Sequence, residues 1–126
     1  MTELEETPSN AKQTSEMNKI KQKANDAFSA NRFEEAIRLY TQCLNLPNLS
    51  DKDRAILYSN RSVSYLKLNN LRNAYMDAKI CVRYRPTWPK AYYRKGKALH
   101  EMKNYEKAIQ GTFTQNKYIY SPLFSL

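Results

Sequence analysis

The chain of 126 residues is long enough for one domain, and its 41% hydrophobic residues allow one modest core. Its two glycines are too few for a phosphate-cradling loop, its two cysteines are too few for a disulfide framework, and no apolar run approaches the roughly 20 residues of a membrane helix. The net charge of +9 favours an anionic partner: nucleic acid, an acidic membrane surface or an acidic peptide.

The chain begins with an acidic segment. Residues 1–16 contain four glutamates and one lysine, so they carry a net charge of −3 and leave +12 for residues 17–126. The segment lacks the apolar stretch of a secretory signal, so we predict a reduced, cytoplasmic location. Its composition also predicts that residues 1–16 are disordered.

The rest of the chain repeats one pattern. Three segments superpose: 17–50, 55–88 and 89–110. Matched positions hold similar residues, namely Ala36, Ala74 and Ala108, and likewise Phe33, Leu71 and Tyr105. The separations are 38 and 34 residues in both sets, because the first linker (46–51) carries four extra residues. A 34-residue period predicts an all-α solenoid of antiparallel helix pairs.

Within each unit, helical spacing of apolar residues predicts two helices joined by a polar turn. The predicted turns are residues 29–32, 67–70 and 102–104. Each contains an asparagine, which tolerates the left-handed conformation that such a turn requires. We predict Asp51 and Thr87 as the N-caps of the first helices of the second and third units.

These residues resemble the tetratricopeptide repeat (TPR) family. A small residue stands late in each first helix (Ala24, Ser62 and Gly96), an alanine opens each second helix, and Pro86 ends the second unit. The likeness covers about residues 17–110 and implies a solenoid of about three TPR units, the third incomplete or atypical.

Beyond Ile109 the sequence departs from the family pattern. Gly111, Thr112 and Thr114 have weak helix propensity, and no capping helix follows. We predict that residues 111–126 form an atypical tail, as in a C-terminally truncated or alternative form of a longer repeat protein. The alternative is a divergent cap in which apolar tail residues fold back on the third unit: Tyr118, Ile119, Tyr120, Leu123 and Phe124.

Polar residues on the predicted first helices suggest a ligand site. The candidate site comprises Lys21, Asn25, Asn60, Lys90 and Arg94. Two pairs within it are four residues apart, so each pair projects from one helix face. Two lysines, one arginine and two asparagines, with no carboxylate beside them, suit a ligand with two close carboxylates, such as a chain ending in aspartate.

The candidate site looks like the two-carboxylate clamp of chaperone-binding TPR domains, whose five positions it fills in the correct repeat phase. The resemblance implies a co-chaperone-type adaptor that binds the C-terminal Glu-Glu-Val-Asp tail of seventy- or ninety-kilodalton heat-shock chaperones. It also implies groove-lining roles for Phe28, Val63, Leu66 and Lys67. The residues of the sequence indicate no cofactor and no metal site.

Two other binding functions stay open: a general TPR scaffold for another acidic peptide, and a basic solenoid that binds RNA. Tyrosines can stack on bases, but five of them occupy repeat positions that predict helix packing: Tyr40, Tyr58, Tyr65, Tyr92 and Tyr105. Catalysis finds little support, because His100 is the one histidine, and Cys43 and Cys81 match each other as small core residues. We therefore predict that the chain is not an enzyme.

Overall fold

The computed structural model describes residues 11–115 and gives side-chain positions for residues 15–110. The described chain forms five α-helices: α1 (Ala11–Ser29), α2 (Phe33–Leu44), α3 (Asp51–Lys67), α4 (Leu71–Tyr84) and α5 (Pro89–Gln115). Each helix packs against the next one in the chain, and α3 also contacts α5. The molecule is therefore an all-α solenoid of helix pairs, as the repeat predicts. None of the described helices has the length and apolar character needed to cross a membrane.

The first pair, α1 and α2, encloses the larger part of the core. Its fully buried residues include Met17 and Ala24 on α1 and Ala36, Tyr40 and Cys43 on α2. Small residues on facing positions let the two helices approach closely, and a larger ring fills the space beside them. Helix α1 begins at Ala11, so residues 11–16, which were predicted to be disordered, are helical. Residues 1–10 lie outside the described chain.

The turns within the first two pairs form as predicted. Asn31 and Asn69 have φ values of 61° and 59°, in the left-handed region that asparagine tolerates. The N-cap prediction for α3 is wrong by one residue: Ser50 is the cap, its Oγ accepting a hydrogen bond from the Asp53 amide at 3.0 Å. Helix α5 begins at Pro89, one residue later than a cap at Thr87 predicts, because proline is well suited to the first helical position.

A bidentate ion pair joins three helices across the first unit boundary. Arg61 on α3 donates from Nε and Nη2 to the two carboxylate oxygens of Asp77 on α4, both at 2.8 Å. Its Nη1 donates to Thr41 Oγ1 on α2 at 3.0 Å. Because the Asp77 side chain is only 4% exposed, the pair is shielded from water and holds α2, α3 and α4 in one arrangement.

The third unit differs from the prediction, because α5 continues through residues 102–104 without a turn. The position that corresponds to Asn31 and Asn69 is occupied by Lys103. The left-handed conformation costs a residue such as lysine roughly 1–2 kcal/mol, whereas asparagine adopts it far more readily. Helix α5 also includes residues 111–115 of the predicted tail, while residues 116–126 lie outside the described chain.

Candidate functional site

The five candidate residues lie on the first helix of each unit: Lys21 and Asn25 on α1, Asn60 on α3, Lys90 and Arg94 on α5. Three of them are more buried than solvent-facing polar residues would be. Lys21 is 5% exposed, Asn60 is 0% exposed and Arg94 is 9% exposed, while the other two are half-buried. Polar side chains are seldom buried this deeply without a structural or binding role.

Asn25 is oriented by the second helix of its own unit. The Tyr40 hydroxyl, which is completely buried, donates to Asn25 Oδ1 at 2.6 Å. Burial raises the pKa of Tyr40 far above its ordinary value, so this hydroxyl keeps its proton. The bond occupies the acceptor end of the Asn25 amide. The amide nitrogen, a donor, is then the end that can serve an anionic ligand.

Lys21 has a carboxylate neighbour that the sequence analysis missed. Asp53, at 0% exposure, lies near enough to Lys21 for their charges to interact. Burial raises the pKa of the Asp53 carboxyl, while the polar groups of Ser50 and the positive charges of Lys21 and Lys52 act to lower it. The expectation that no carboxylate stands beside the basic residues is therefore wrong. Neither carboxylate oxygen of Asp53 has a hydrogen-bond partner among the described residues, so the two side chains interact through their charges and not by a direct bond.

The sequence did contain a signal for Asp53. Ser50 and Asp53 have the spacing of a capping box, in which the third helical residue turns back toward the N-cap. That pattern places the Asp53 carboxylate at the start of α3. It does not reveal the proximity to Lys21, which depends on how successive helices of the solenoid pack.

Arg94 is fixed against α3 close to Asn60. Its Nε donates to the hydroxyl of buried Ser59 at 3.1 Å, and Ser59 directly precedes Asn60. Lys90 lies one helical turn before Arg94, about 6 Å along the axis of α5. Arg94 thus lies at the contact between α3 and α5, and Asn60 and Lys90 belong to the same two helices within one turn of that bond.

The Asn60 amide lacks the hydrogen bonds that orient Asn25 and Arg94. Neither its Oδ1 nor its Nδ2 has a hydrogen-bond partner among the described residues, although both atoms are buried. A buried polar group without a partner costs roughly 1–3 kcal/mol, so such groups are rare in folded proteins. Because Asn60 is fully covered, a ligand reaches its amide only when a neighbouring side chain moves aside.

The four predicted groove residues occupy different environments. Val63 is buried at 3% exposure, Phe28 and Leu66 are half-buried, and Lys67 is exposed. The Phe28 ring packs edge-on against Phe33, with ring centroids 5.3 Å apart, so α2 holds its orientation.

The cysteines and two of the tyrosines show where the core predictions succeed and fail. Cys43 and Cys81 are fully buried free thiols, as predicted, and burial raises their pKa values to about 11 and about 12. Tyr92 and Tyr105, by contrast, are 49% and 56% exposed, so the prediction that they pack between helices is wrong. Among the described residues, no three His, Cys, Asp or Glu side chains cluster as metal ligands would.

Comparison with known proteins identifies relatives of the chain. A family model described as "Serine/threonine-protein kinase BSK1-like, TPR repeats" matches residues 4–96, and one described as "Tetratricopeptide repeat" matches residues 89–110. Heat shock protein STI1 of Saccharomyces cerevisiae is 38% identical over 97 residues, which is 71% of this chain and 16% of STI1. The Hsp70-Hsp90 organizing protein of Triticum aestivum is 37% identical over 90 residues, 71% of this chain and 15% of that protein.

A third relative has a name that refers to a different role. The ER protein translocation subcomplex subunit sec67 of Schizosaccharomyces pombe is 34% identical over 106 residues, which is 77% of this chain and 55% of that subunit. The chain thus spans between about one seventh and about one half of these three relatives. Matches to family models over most of the described helices, together with the helix pairs themselves, establish that the chain belongs to the tetratricopeptide repeat family.

Proposed function

We propose that the chain is a co-chaperone-type adaptor that binds the C-terminal Glu-Glu-Val-Asp tail of a seventy- or ninety-kilodalton heat-shock chaperone. The observation that carries the proposal is Asn60, a buried amide that has no hydrogen-bond partner in the described part of the chain. It follows Ser59, whose hydroxyl accepts a hydrogen bond from Arg94. Two relatives whose names refer to heat shock or to Hsp70 and Hsp90 support the choice of ligand.

The last residue of such a tail presents two carboxylates, one from its side chain and one from the chain terminus. Asn25 and Asn60 would donate from their amide nitrogens, while Lys21, Lys90 and Arg94 would supply positive charge. Each charge-assisted hydrogen bond contributes roughly 1.5–3 kcal/mol before ordering and desolvation costs. We expect a net binding free energy of about −8 kcal/mol, which corresponds to a micromolar dissociation constant.

The proposed role is that of an adaptor, with binding as its whole activity and no chemical step. A general scaffold for another acidic peptide is the nearest alternative, since it would use the same basic residues. An RNA-binding role would draw on the net positive charge, and it predicts a steep salt dependence. These three functions predict different effects on binding when the C-terminus of the ligand is changed.

The test is a titration of the purified chain with a fluorescent peptide ending in Met-Glu-Glu-Val-Asp, measured by polarisation. We expect micromolar binding, which amidation of the terminal carboxyl weakens by at least about tenfold, since one charge-assisted contact of about 1.4 kcal/mol is a factor of ten. Lys90→Ala should weaken binding to a similar extent. Lys79→Ala is the matched control, because it removes an exposed lysine on α4, away from the candidate site.

Equal affinity for the free and amidated peptides would refute the clamp and favour a scaffold that reads internal acidic residues. Failure of the helical, cooperatively melting chain to bind either peptide would refute the chaperone tail as ligand. Binding of an RNA oligonucleotide with a steep loss of affinity in salt, and indifference to Lys90→Ala, would support the RNA function instead.

A further inference from the structure

A buried carboxylate lies on the face of α3 that carries Asn60. Asp53 and Asn60 are seven residues apart, which is nearly two full turns and about 10 Å along the axis, so they share one side of the helix. Both side chains are 0% exposed. Asp53 therefore lies on the helix face that the proposed site uses, although its charge has the same sign as the charge of the ligand.

The Asp53 carboxylate is buried without the hydrogen bonds that usually accompany burial. Its two oxygens accept none from the described residues, whereas the backbone amide of the same residue donates to Ser50 Oγ at 3.0 Å. Removing an ionised group from water is costly, so buried carboxylates are normally paired or hydrogen-bonded. Among the described residues, the stabilisation of this carboxylate therefore comes from nearby positive charge.

That positive charge belongs to lysines on two helices. Lys21 of α1, which is 5% exposed, and Lys52 of α3, which is exposed, both act on the Asp53 carboxyl through their charges. On α2, the fully buried Cys43 thiol is also within range of the Lys21 charge. Because Lys21 is one of the five candidate residues, the charge of Asp53 acts on the proposed site itself.

We propose that the buried charge of Asp53 limits the affinity of the site, because it opposes the ligand carboxylates that Lys21 and Asn60 would bind. This role, which rests on the proposed function of the site, is opposite to the role of the basic residues. Removing the charge of Asp53 should strengthen binding, whereas removing a basic residue should weaken it. Changes of affinity within one interface arise mainly in the dissociation rate, so Asp53 should also speed release of the chaperone tail.

The test is Asp53→Asn, which removes the charge and keeps the shape of the side chain. In the polarisation titration with the peptide ending in Met-Glu-Glu-Val-Asp, it should bind at least about threefold more tightly, the effect of removing one like charge about 10 Å away in a partly screened site. The gain should be smaller with the amidated peptide, which has one terminal carboxylate fewer. Asp51→Asn is the matched control, because it removes an exposed carboxylate from the same turn of α3.

The pH dependence of binding separates a charge effect from a purely structural one. Burial raises the pKa of the Asp53 carboxyl, even though the charges of Lys21 and Lys52 act to lower it. As the pH falls, Asp53 in the unchanged chain takes up a proton and loses the charge that Asp53→Asn removes. The affinity advantage of the variant should therefore shrink between about pH 7.5 and about pH 5, where the terminal carboxylates of the peptide, with ordinary pKa values of about 3.5–4, are still ionised.

A second neutral variant, Asp53→Ser, places no amide in the buried position. Both variants should bind the tail more tightly, because the loss of the carboxylate charge is what they share. Unchanged or weaker binding by both, with micromolar binding by the unchanged chain, would overturn the role of Asp53 and leave the proposed function standing. An affinity ratio that stays constant with pH would overturn it as well. Failure of the unchanged chain and both variants to bind the peptide would refute the proposed function together with this role.

Discussion

Replacing Asn60 with leucine should stabilise the free protein and weaken its binding of the chaperone tail. Leucine has nearly the shape of asparagine, and it removes two buried polar atoms that have no partner among the described residues. The cost of leaving such an amide unpaired is roughly 1–3 kcal/mol, so the free energy of unfolding should rise by about that amount. For a domain of this size, the melting temperature should rise by about 3–5 °C for each kcal/mol.

Asn25→Leu is the contrasting variant, since this asparagine does have a partner. Its removal leaves the fully buried Tyr40 hydroxyl without the acceptor that it now reaches at 2.6 Å. The free energy of unfolding should therefore fall by roughly 1–3 kcal/mol. Both leucine variants remove an amide donor from the proposed site, so both should bind the chaperone-tail peptide at least about tenfold more weakly.

The assay is urea unfolding followed by circular dichroism at 222 nm, with the peptide titration run on the same samples. An unchanged dependence on urea would show that the two substitutions act on stability alone. Destabilisation by Asn60→Leu would refute the reasoning, because it would mean that the amide is hydrogen-bonded in solution. A stabilised Asn60→Leu variant that binds the tail normally would remove Asn60 from the proposed site.

Two further predictions concern the core. Arg61→Leu should lower the free energy of unfolding by about 3–5 kcal/mol, because it leaves the buried Asp77 charge uncompensated, whereas adding Asp77→Leu should recover most of that loss; both are measured by urea unfolding. Cys43 and Cys81 should not react with a thiol reagent at pH 8 until the chain unfolds, because burial raises their pKa values to about 11 and about 12. Since the folded state holds these protons more tightly, stability is retained below about pH 9 and falls as the pH rises toward 11, by roughly 3 kcal/mol in total at pH 10. A Cys43→Ala and Cys81→Ala variant that loses stability equally between pH 9 and pH 10 would contradict this assignment.

The helix pairs were predictable because each local sequence pattern occurs in more than one repeat unit. Asn31 and Asn69 stand at the same repeat position and both adopt the left-handed turn. The failed turn in the third unit had a visible cause, since that position holds Lys103, and the asparagine next to it stands one residue too late. Matching whole residue positions, and not only the polar character of a segment, would have predicted the straight α5.

The candidate site was less predictable than the fold. Repeat phase selects which residues lie on the first helices, but burial of Lys21 and Asn60 depends on how three helices close around them. The Ser59–Arg94 bond and the charge interaction between Lys21 and Asp53 join residues 35 and 32 positions apart. No local pattern encodes such contacts, because they depend on the superhelical stacking of successive units.

The hydrogen bonds of Arg61 should make unfolding more cooperative in the first two units than in the third. It ties α2, α3 and α4 together, while the positions matching Arg61 and Asp77 in the third unit hold Lys95 and Gly111. The first two units should therefore unfold as one block, and amide hydrogens of α5 should exchange with solvent faster than those of α3. A ligand bound by α1, α3 and α5 together would connect the first two units to α5. With ligand bound, the first two units and α5 should therefore unfold in one transition instead of two.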